Sequence, residues 1–301
     1  MIKVYDTGNG ILEYISGKNG IEIISCKDAY GVLNIPPDID GQNIIVIGKK
    51  AFFNQKGISE LFIPEPVEEI EGWAFSSCEN LRKIYIPIKA KNIKNDTFLK
   101  TEKLERIYLY SGNSVCIDDI AALLAVSVTV IRDYSMIRNY DEKNISDWCS
   151  EWDNTAFKMM NKNDLDGFTP FPAGGEEDYV ANDNNENYHC RKKRLEKVRT
   201  AFLRLIHDFC LKDEYRVKYE KYLLEHNIGC TSEETWEYVV NEEGITNELY
   251  KKFAEIGGIT GENIEALISS LGGEHTELKA FLLRKKQENM GETDFFDNLF
   301  I

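Results

Sequence analysis

Apolar residues recur at a fixed interval in the first third of the chain. Three segments align without gaps: IGKKAFFNQKGISELFIP from Ile47, IEGWAFSSCENLRKIYIP from Ile70 and IKNDTFLKTEKLERIYLY from Ile93. Five apolar columns return after 23 residues, namely Ile47/Ile70/Ile93, Phe52/Phe75/Phe98, Ile58/Leu81/Leu104, Leu61/Ile84/Ile107 and Ile63/Ile86/Leu109. A period of this length predicts a solenoid, in which one coil stacks on the next.

Each repeat contains one segment of alternating apolar and polar residues. In LRKIYIP, Ile84 and Ile86 alternate with Tyr85, which is typical of a strand with one buried face. Stacked repeats therefore predict a parallel sheet on one face of the solenoid, with the phenylalanine column filling the interior from the return segment. Pro64 and Pro87 follow the strands, and each removes a ladder donor.

The first and last repeats depart from the pattern, as capping units do. VLNIPPDIDGQNIIVIG resembles the repeat with an insertion of about five residues. Before it, ILEYIS and IEIIS are predicted strands that cover the N-terminal face. After the third repeat, IDDIAALLA predicts a helix in place of the return turn, and SVTVIRD predicts a final strand. The solenoid is predicted over residues 1–133.

The phrases NIPPDIDGQNIIVIGKKAF and LFIPEPVEEIEGWAFSSCENLRKIYIP resemble the BspA-type leucine-rich repeat. That family repeats isoleucine-proline, isoleucine-glycine, alanine-phenylalanine, a cysteine and a leucine that leads into the strand. Cys78 occupies the cysteine column, where the neighbouring repeats carry Gln55 and Thr101. The resemblance implies an interaction scaffold, and many members of the family are secreted or attached to the cell surface.

The second half of the chain has helical periodicity. Residues 134–187 are predicted to be a junction, with a helix at KNISDWCSEWDNTAFKMM and a linker that is rich in Gly, Pro and acidic residues. From residue 188 to 301 short amphipathic helices alternate with glycine-containing connectors, which predicts an all-α helical repeat of ankyrin-like scale. This half resembles the helical module that follows such leucine-rich repeats in some proteins of clostridial-type bacteria. The predicted fold class is thus α+β with two domains.

The formal net charge of −15 argues against a surface that binds nucleic acid or anionic membrane as a whole. The N-terminus lacks a basic region followed by an apolar run, so we expect no signal peptide. Seven cysteines without a CxxC pair are typical of reduced thiols. Together these features predict a cytoplasmic protein.

The repeat also predicts a candidate binding surface. One strand position between the inward residues is aromatic in all three repeats, at Phe62, Tyr85 and Tyr108, with Asn34 as the equivalent in the capping unit. We expect the rings to stack at the strand spacing of about 4.8 Å. A charged column lies beside them, and its cations are Lys83 and Arg106. These six residues are the predicted partner-binding residues, although cross-strand aromatic pairs also serve simply to stabilise sheets.

Two other groups of residues resemble sites of a different chemistry. His207-x2-Cys210 with His226-x3-Cys230 superficially resembles a zinc spacing, and His207 and Cys210 lie on one predicted helix. The basic residues after the linker are typical of a solvated helix face that pairs with acidic neighbours, and less so of a nucleic-acid contact. They are Arg191, Lys192, Lys193, Arg194, Lys197 and Arg199. No catalytic motif is present, and we predict no cofactor, no metal and no enzymatic activity.

The sequence therefore predicts a non-enzymatic scaffold or adaptor that binds a protein through the exposed sheet face, with the helical domain as a second docking face. The partner is a protein, and neither direct nucleic-acid binding nor a membrane association is expected. The alternative, motivated by the charge of −15, is an acidic inhibitor or accessory component of a defence or mobile-element system. Such a protein would occupy a basic nucleic-acid-binding partner.

Overall fold

A computed structural model describes residues 1–90, 92–168, 186–225, 233–242 and 246–297. The chain divides into two compact units: residues 1–159 with 207–210, and residues 160–206 with 211–301. The first unit contains every strand of the described residues, and the second is helical. A leucine-rich solenoid followed by a helical region is thus confirmed, whereas the domain boundaries at 133 and 188 stay predictions.

The strands all precede residue 116. They are β1 (Lys3–Asp6), β2 (Ile11–Ser16), β3 (Ile21–Lys27), β4 (Gly31–Asn34), β5 (Asp38–Ile39), β6 (Gln42–Ile47), β7 (Ile58–Phe62), β8 (Glu69–Ile70), β9 (Lys83–Pro87), β10 (Asn92–Ile93), β11 (Arg106–Ser111) and β12 (Ser114–Val115). The strands ILEYIS and IEIIS expected at the N-terminal face are confirmed as β2 and β3. They form an antiparallel meander with β1.

The predicted strand of each repeat forms a parallel sheet in the order β4-β7-β9-β11, closed by β12. Its register follows the 23-residue period, because Leu61 pairs with Ile84 and Ile84 pairs with Ile107. The return segments add a second parallel sheet, which continues from β3 through β6, β8 and β10. The strands β8 and β10 have two residues each, too few for an alternating pattern to indicate them.

The interior between the two sheets contains the phenylalanine column. Phe52, Phe75 and Phe98 are buried, with ring centroids 5.5 Å and 5.4 Å apart. Tyr134 continues the stack at 6.3 Å from Phe98, and its hydroxyl accepts a hydrogen bond from the Phe98 backbone N–H at 3.0 Å. Ring stacking of this kind contributes about 0.5–1.5 kcal/mol per pair beyond the burial of area.

The column of Gln55, Cys78 and Thr101 has one structural role in all three coils. Each side chain donates a hydrogen bond to a backbone carbonyl of the preceding coil: Gln55 Nε2 to Cys26 O at 3.0 Å, Cys78 Sγ to Phe52 O at 3.0 Å and Thr101 Oγ1 to Phe75 O at 2.8 Å. Three different residue types thus fill the column because all three provide a donor. Burial raises the pKa of the Cys78 thiol to about 12, so it remains protonated and able to donate.

Helices follow the last strand of the solenoid along the chain. The described residues contain α1 (Asp118–Val126), α2 (Ser135–Arg138), α3 (Ile145–Met160), α4 (Glu186–Ile206), α5 (Asp213–Glu225), α6 (Glu233–Asn241), α7 (Thr246–Glu255), α8 (Ile264–Ser270) and α9 (Thr276–Asp297). The helix expected at IDDIAALLA is confirmed as α1. The strand predicted at SVTVIRD is wrong, because residues 127–131 form a π-helix that continues α1. Both segments are almost wholly buried, and an apolar run of this kind fits either structure.

The helix α3 confirms the helix expected at KNISDWCSEWDNTAFKMM, and it lies in the first unit except for its last residue. Trp152 is fully buried, and its Nε1–H donates to the Leu123 carbonyl at 3.0 Å and to Ser127 Oγ at 2.8 Å. Trp148 Nε1–H donates to the Met136 carbonyl at 2.9 Å. The two tryptophans thus attach α3 to α1, its π-helical extension and α2.

The second unit consists of α4 to α9. The apolar stripe of α4 is buried at Val198, Phe202 and Leu205, and the Phe202 ring lies 5.9 Å from that of Tyr238. The helix predicted to carry both His207 and Cys210 is shorter than expected, because α4 ends at Ile206. The ankyrin-like character of the helices stays a prediction.

Candidate functional site

The predicted aromatic column forms a stacked ladder on the outer face of the five-stranded sheet. The rings of Phe62 and Tyr85 are parallel within 8° with centroids 4.1 Å apart, and those of Tyr85 and Tyr108 are 4.8 Å apart at 16°. The same residues pair in the strand register, and Asn34 pairs with Phe62 at the next strand. The rings are half-buried, because each covers one face of its neighbour.

Tyr85 is the central ring, with an aromatic neighbour on each side. Partial burial, followed by the charge and hydrogen bond of the Glu60 carboxylate, raises the pKa of its hydroxyl. The ring therefore stays neutral at physiological pH and presents an apolar surface with one hydroxyl at its edge. Aromatic residues of this kind supply much contact area at a low cost in side-chain entropy.

Tyr108 and Arg106 hold the first residue of α1. The Tyr108 hydroxyl donates to Asp118 Oδ1 at 2.6 Å, and Arg106 Nε donates to the same oxygen at 2.9 Å. Partial burial acts to raise the pKa of Asp118, but these bonds and the positive charge of Arg106 outweigh it and lower the pKa. The last ring of the ladder is thus anchored at its edge.

Lys83 and Asn34 occupy the rest of the predicted surface. Both are exposed. Lys83 lies in register between Glu60 and Arg106, and it forms no ion pair with another residue of the described ranges. Asn34 leaves the outer face of the Phe62 ring without an aromatic neighbour, so the ladder ends there. The assignment of all six residues to partner binding stays a prediction.

Sequence reasoning missed one aromatic residue on this face. The Tyr110 hydroxyl donates to the Ile63 carbonyl at 2.6 Å, although its own strand position pairs with Pro87 and not with β7. Its ring therefore extends past one strand to reach the next. The signal was the two-residue alternation that continues from Tyr108 to Tyr110, but the repeat places prolines in this column and no aromatic was expected.

The proposed zinc ligands do not lie together on a helix. His207 follows the end of α4, is buried, and has Nδ1 at 3.0 Å from Asp119 Oδ1. Cys210 is exposed and has a left-handed backbone, with φ of 53°. His226 and Cys230 lie outside the described residues. Within the described ranges, no three potential ligands converge on one point.

The basic cluster of α4 contacts carboxylates of its own unit. Arg194 Nε donates to Glu234 at 2.5 Å, and Lys197 Nζ donates to Asp164 Oδ1 at 2.6 Å. Arg191 pairs with Glu237 at 2.8 Å. Three cations of the cluster are thus neutralised in place, and one of their partners, Asp164, lies in the segment predicted as the junction.

Residues 29–121 match the family described as BspA type leucine rich repeat region, in six copies. This segment is a BspA-type leucine-rich repeat region. The family resemblance of the repeated phrases is therefore confirmed for the solenoid. Leucine-rich repeats generally mediate protein–protein interaction, and proteins of this kind are typically non-enzymatic binding proteins. None of the helices among the described residues combines the length and apolarity needed to cross a membrane.

Solved leucine-rich repeat proteins resemble about a third of the chain. The leucine-rich repeat protein of T. pallidum is 25% identical with a TM-score of 0.32, over 35% of this chain and 49% of its own. A leucine-rich repeat protein from Bacteroides ovatus is 25% identical with a TM-score of 0.29, over 34% and 28%. A leucine rich cell surface protein from Faecalibacterium prausnitzii is 20% identical with a TM-score of 0.29, over 36% and 30%. The chain thus spans less than half the length of each, and no curated protein matches it.

Proposed function

We propose that the protein is a scaffold or adaptor that binds a protein partner on the ladder face, defined as Phe62, Tyr85 and Tyr108 with Lys83 beside them. The observation that carries this proposal is the continuous stack of three half-exposed rings on the outer face of a rigid sheet. Aromatic residues are enriched among those that contribute most to interface energies. A cytoplasmic location is part of the proposal and rests on the sequence.

The stack is fixed before any partner binds, which supports a binding role. The strand register sets the spacing of the rings, and Asp118 fixes the last one through Tyr108. Ordering rotamer-rich side chains on association costs about 0.5–1.5 kcal/mol each, so a surface that is already ordered avoids that cost. Lys83 adds a cation that no described residue neutralises, and this gives the face one polar contact beside the rings.

Affinity capture from the native host with mass spectrometry tests the proposal. We expect a partner to be recovered with the wild-type chain and lost with the double variant Phe62→Ala and Tyr85→Ala. Tyr188→Ala is the matched control, because Tyr188 is an exposed aromatic on α4 of the other unit. Equal recovery by the wild type and the double variant would remove the ladder face from consideration.

The salt dependence of the captured complex distinguishes the two functions. Binding through stacked rings buries apolar area and should persist at high salt. An acidic inhibitor that occupies a basic partner would instead release it, because salt screens the attraction between the charges. Release of a basic partner by salt, from both variants alike, would therefore favour the alternative.

A further inference from the structure

The turns that connect the strands of the second sheet to the ladder strands have an unusual backbone. Two positions of each turn are left-handed, and the first of them, occupied by Lys50, Trp73 and Asp96, has φ of 62°, 63° and 63°. This conformation costs an L-residue roughly 1–2 kcal/mol, and short polar residues tolerate it best. Asp96 fits that preference, whereas a tryptophan at Trp73 is a large residue in a conformation that large residues avoid.

The Trp73 side chain is also exposed. It has 37% of its surface accessible, while Trp148, Trp152 and Trp236 have between 0% and 6%. Phe53 in the preceding coil is 44% exposed. Burial of apolar area therefore contributes less at Trp73 than at the other three tryptophans, and it does not explain an indole at a strained position. Backbone strain that persists at a surface is often connected with function.

Two lysines surround the exposed indole. Lys50 Nζ lies 4.7 Å from the centre of the Trp73 ring and 5.5 Å from that of Phe53. Lys49 Nζ lies 5.5 Å from the Trp73 ring. Cation–π attraction positions the ammonium groups, but a ring carries no charge and leaves both cations unneutralised. Neither lysine forms an ion pair within the part of the chain that the structure describes.

We infer that Lys49, Lys50, Phe53 and Trp73, the turn patch, form a second docking surface for an acidic segment of a partner protein. Carboxylates of the segment would meet the two ammonium groups, while an apolar side chain of the segment lies against the exposed rings. The occupant follows from charge complementarity, because two uncompensated cations stand on a chain whose net charge is −15. A short acidic segment needs only this local match, whereas an extended polyanion or an anionic membrane would also meet the surrounding negative charge.

Quenching of tryptophan fluorescence tests the charge at the patch in the full chain. Trp73 has the only exposed indole of the four tryptophans, so it dominates collisional quenching. The ratio of the iodide to the caesium quenching constant is compared with the same ratio for free N-acetyltryptophanamide, with neutral acrylamide as the reference for access. We expect the ratio to be higher in the wild type than in the free analogue, and to fall in the variant Lys49→Gln with Lys50→Gln. A ratio that is the same in the wild type and in the variant would overturn the inference.

Binding of a defined peptide tests the docking itself. The probe is a short fluorescein-labelled peptide of glutamates around a leucine, compared with a peptide in which glutamines replace the glutamates. We expect the acidic peptide to bind more tightly, and the double lysine variant to weaken it about tenfold, which corresponds to about 1.4 kcal/mol. Lys100→Gln is the matched control, because Lys100 is exposed and has the same left-handed backbone, with φ of 59°.

Trp73→Asn separates a loss of the ring from a loss of the fold. Asparagine tolerates the left-handed backbone, so the variant should fold at least as well as the wild type and yet bind the peptide about tenfold less tightly. Unchanged affinity in this variant would contradict the role of the ring. Phosphatidylserine vesicles are a further arm, and binding to them in preference to the acidic peptide would overturn the choice of occupant.

Discussion

The column of Gln55, Cys78 and Thr101, called the donor column below, supports a specific prediction on stability. Thr101 is fully buried, and its hydroxyl donates to the Phe75 carbonyl at 2.8 Å. Valine has nearly the same shape but no hydroxyl. Thr101→Val therefore removes the hydrogen bond while leaving the packing volume and the neighbouring coil unchanged.

The expected loss in stability follows from the buried carbonyl that the variant leaves without its hydrogen bond. The Phe75 carbonyl would remain in the interior without this partner, and an unsatisfied buried polar group costs about 1–3 kcal/mol. No cavity term is added, because the volume is conserved. The expected loss in the free energy of unfolding is thus about 1–3 kcal/mol. Thr101→Ser keeps the hydroxyl and controls for the substitution itself, although it removes one methyl group.

The assay must separate the solenoid from the helical unit, because a chain with two units need not unfold in one step. Hydrogen–deuterium exchange along a urea series does this, since peptides from residues 58–111 report the solenoid strands alone. We expect these peptides to lose protection at lower urea in Thr101→Val than in the wild type. A shift equivalent to less than about 0.5 kcal/mol, which is typical of a surface substitution, would refute the role assigned to the column.

Two further predictions concern backbone approach and pH. Gly57→Ala should lower the free energy of unfolding of the solenoid by about 1 kcal/mol or more. The reason is that an added Cβ would lie 2.3 Å from the Ala29 backbone oxygen. The urea midpoint of this variant is compared with that of Gly112→Ala, where the added Cβ meets open space and only the left-handed backbone is strained. Burial raises the pKa of Tyr110 from 10.0 to about 12. The unfolded chain therefore ionises first, and the contribution of this residue to stability is complete below pH 10.0 and is lost as the pH rises to about 12. Tyr110→Phe should lose less stability over that pH range in thermal melts, and an identical pH profile in both proteins would contradict the assignment.

The period of the sequence determined much of the five-stranded sheet that carries the ladder. Strand register and ring stacking both follow from the 23-residue spacing, since residues in one column must lie side by side in stacked coils. Tyr85 could therefore be placed between Phe62 and Tyr108 from the sequence alone. The same reasoning could not place Asp118, because it lies in the helical cap, where the period ends and tertiary contacts decide the structure.

The turn patch shows a second limit of sequence reasoning. Trp73 occupies a column with Lys50 and Asp96, and a column of unlike residues gives no periodic signal. Its left-handed backbone and its two cation–π contacts depend on how adjacent coils stack. Likewise the helix α4 ends before His207, although His207 and Cys210 were predicted on one helix. Helical periodicity in a sequence indicates which face of a helix is buried more reliably than where the helix ends.

The donor column also allows the number of coils to change. Cys78 and Thr101 each donate to a phenylalanine carbonyl 26 positions earlier, so the coils of Phe52 and Phe75 present their successors with the same acceptor. Duplicating residues 70–92 would supply another donor, another interior ring and another Tyr85 without altering either cap. Duplication within the gene can therefore lengthen the ladder by one ring at a time. Each added ring would also enlarge the surface that a partner contacts.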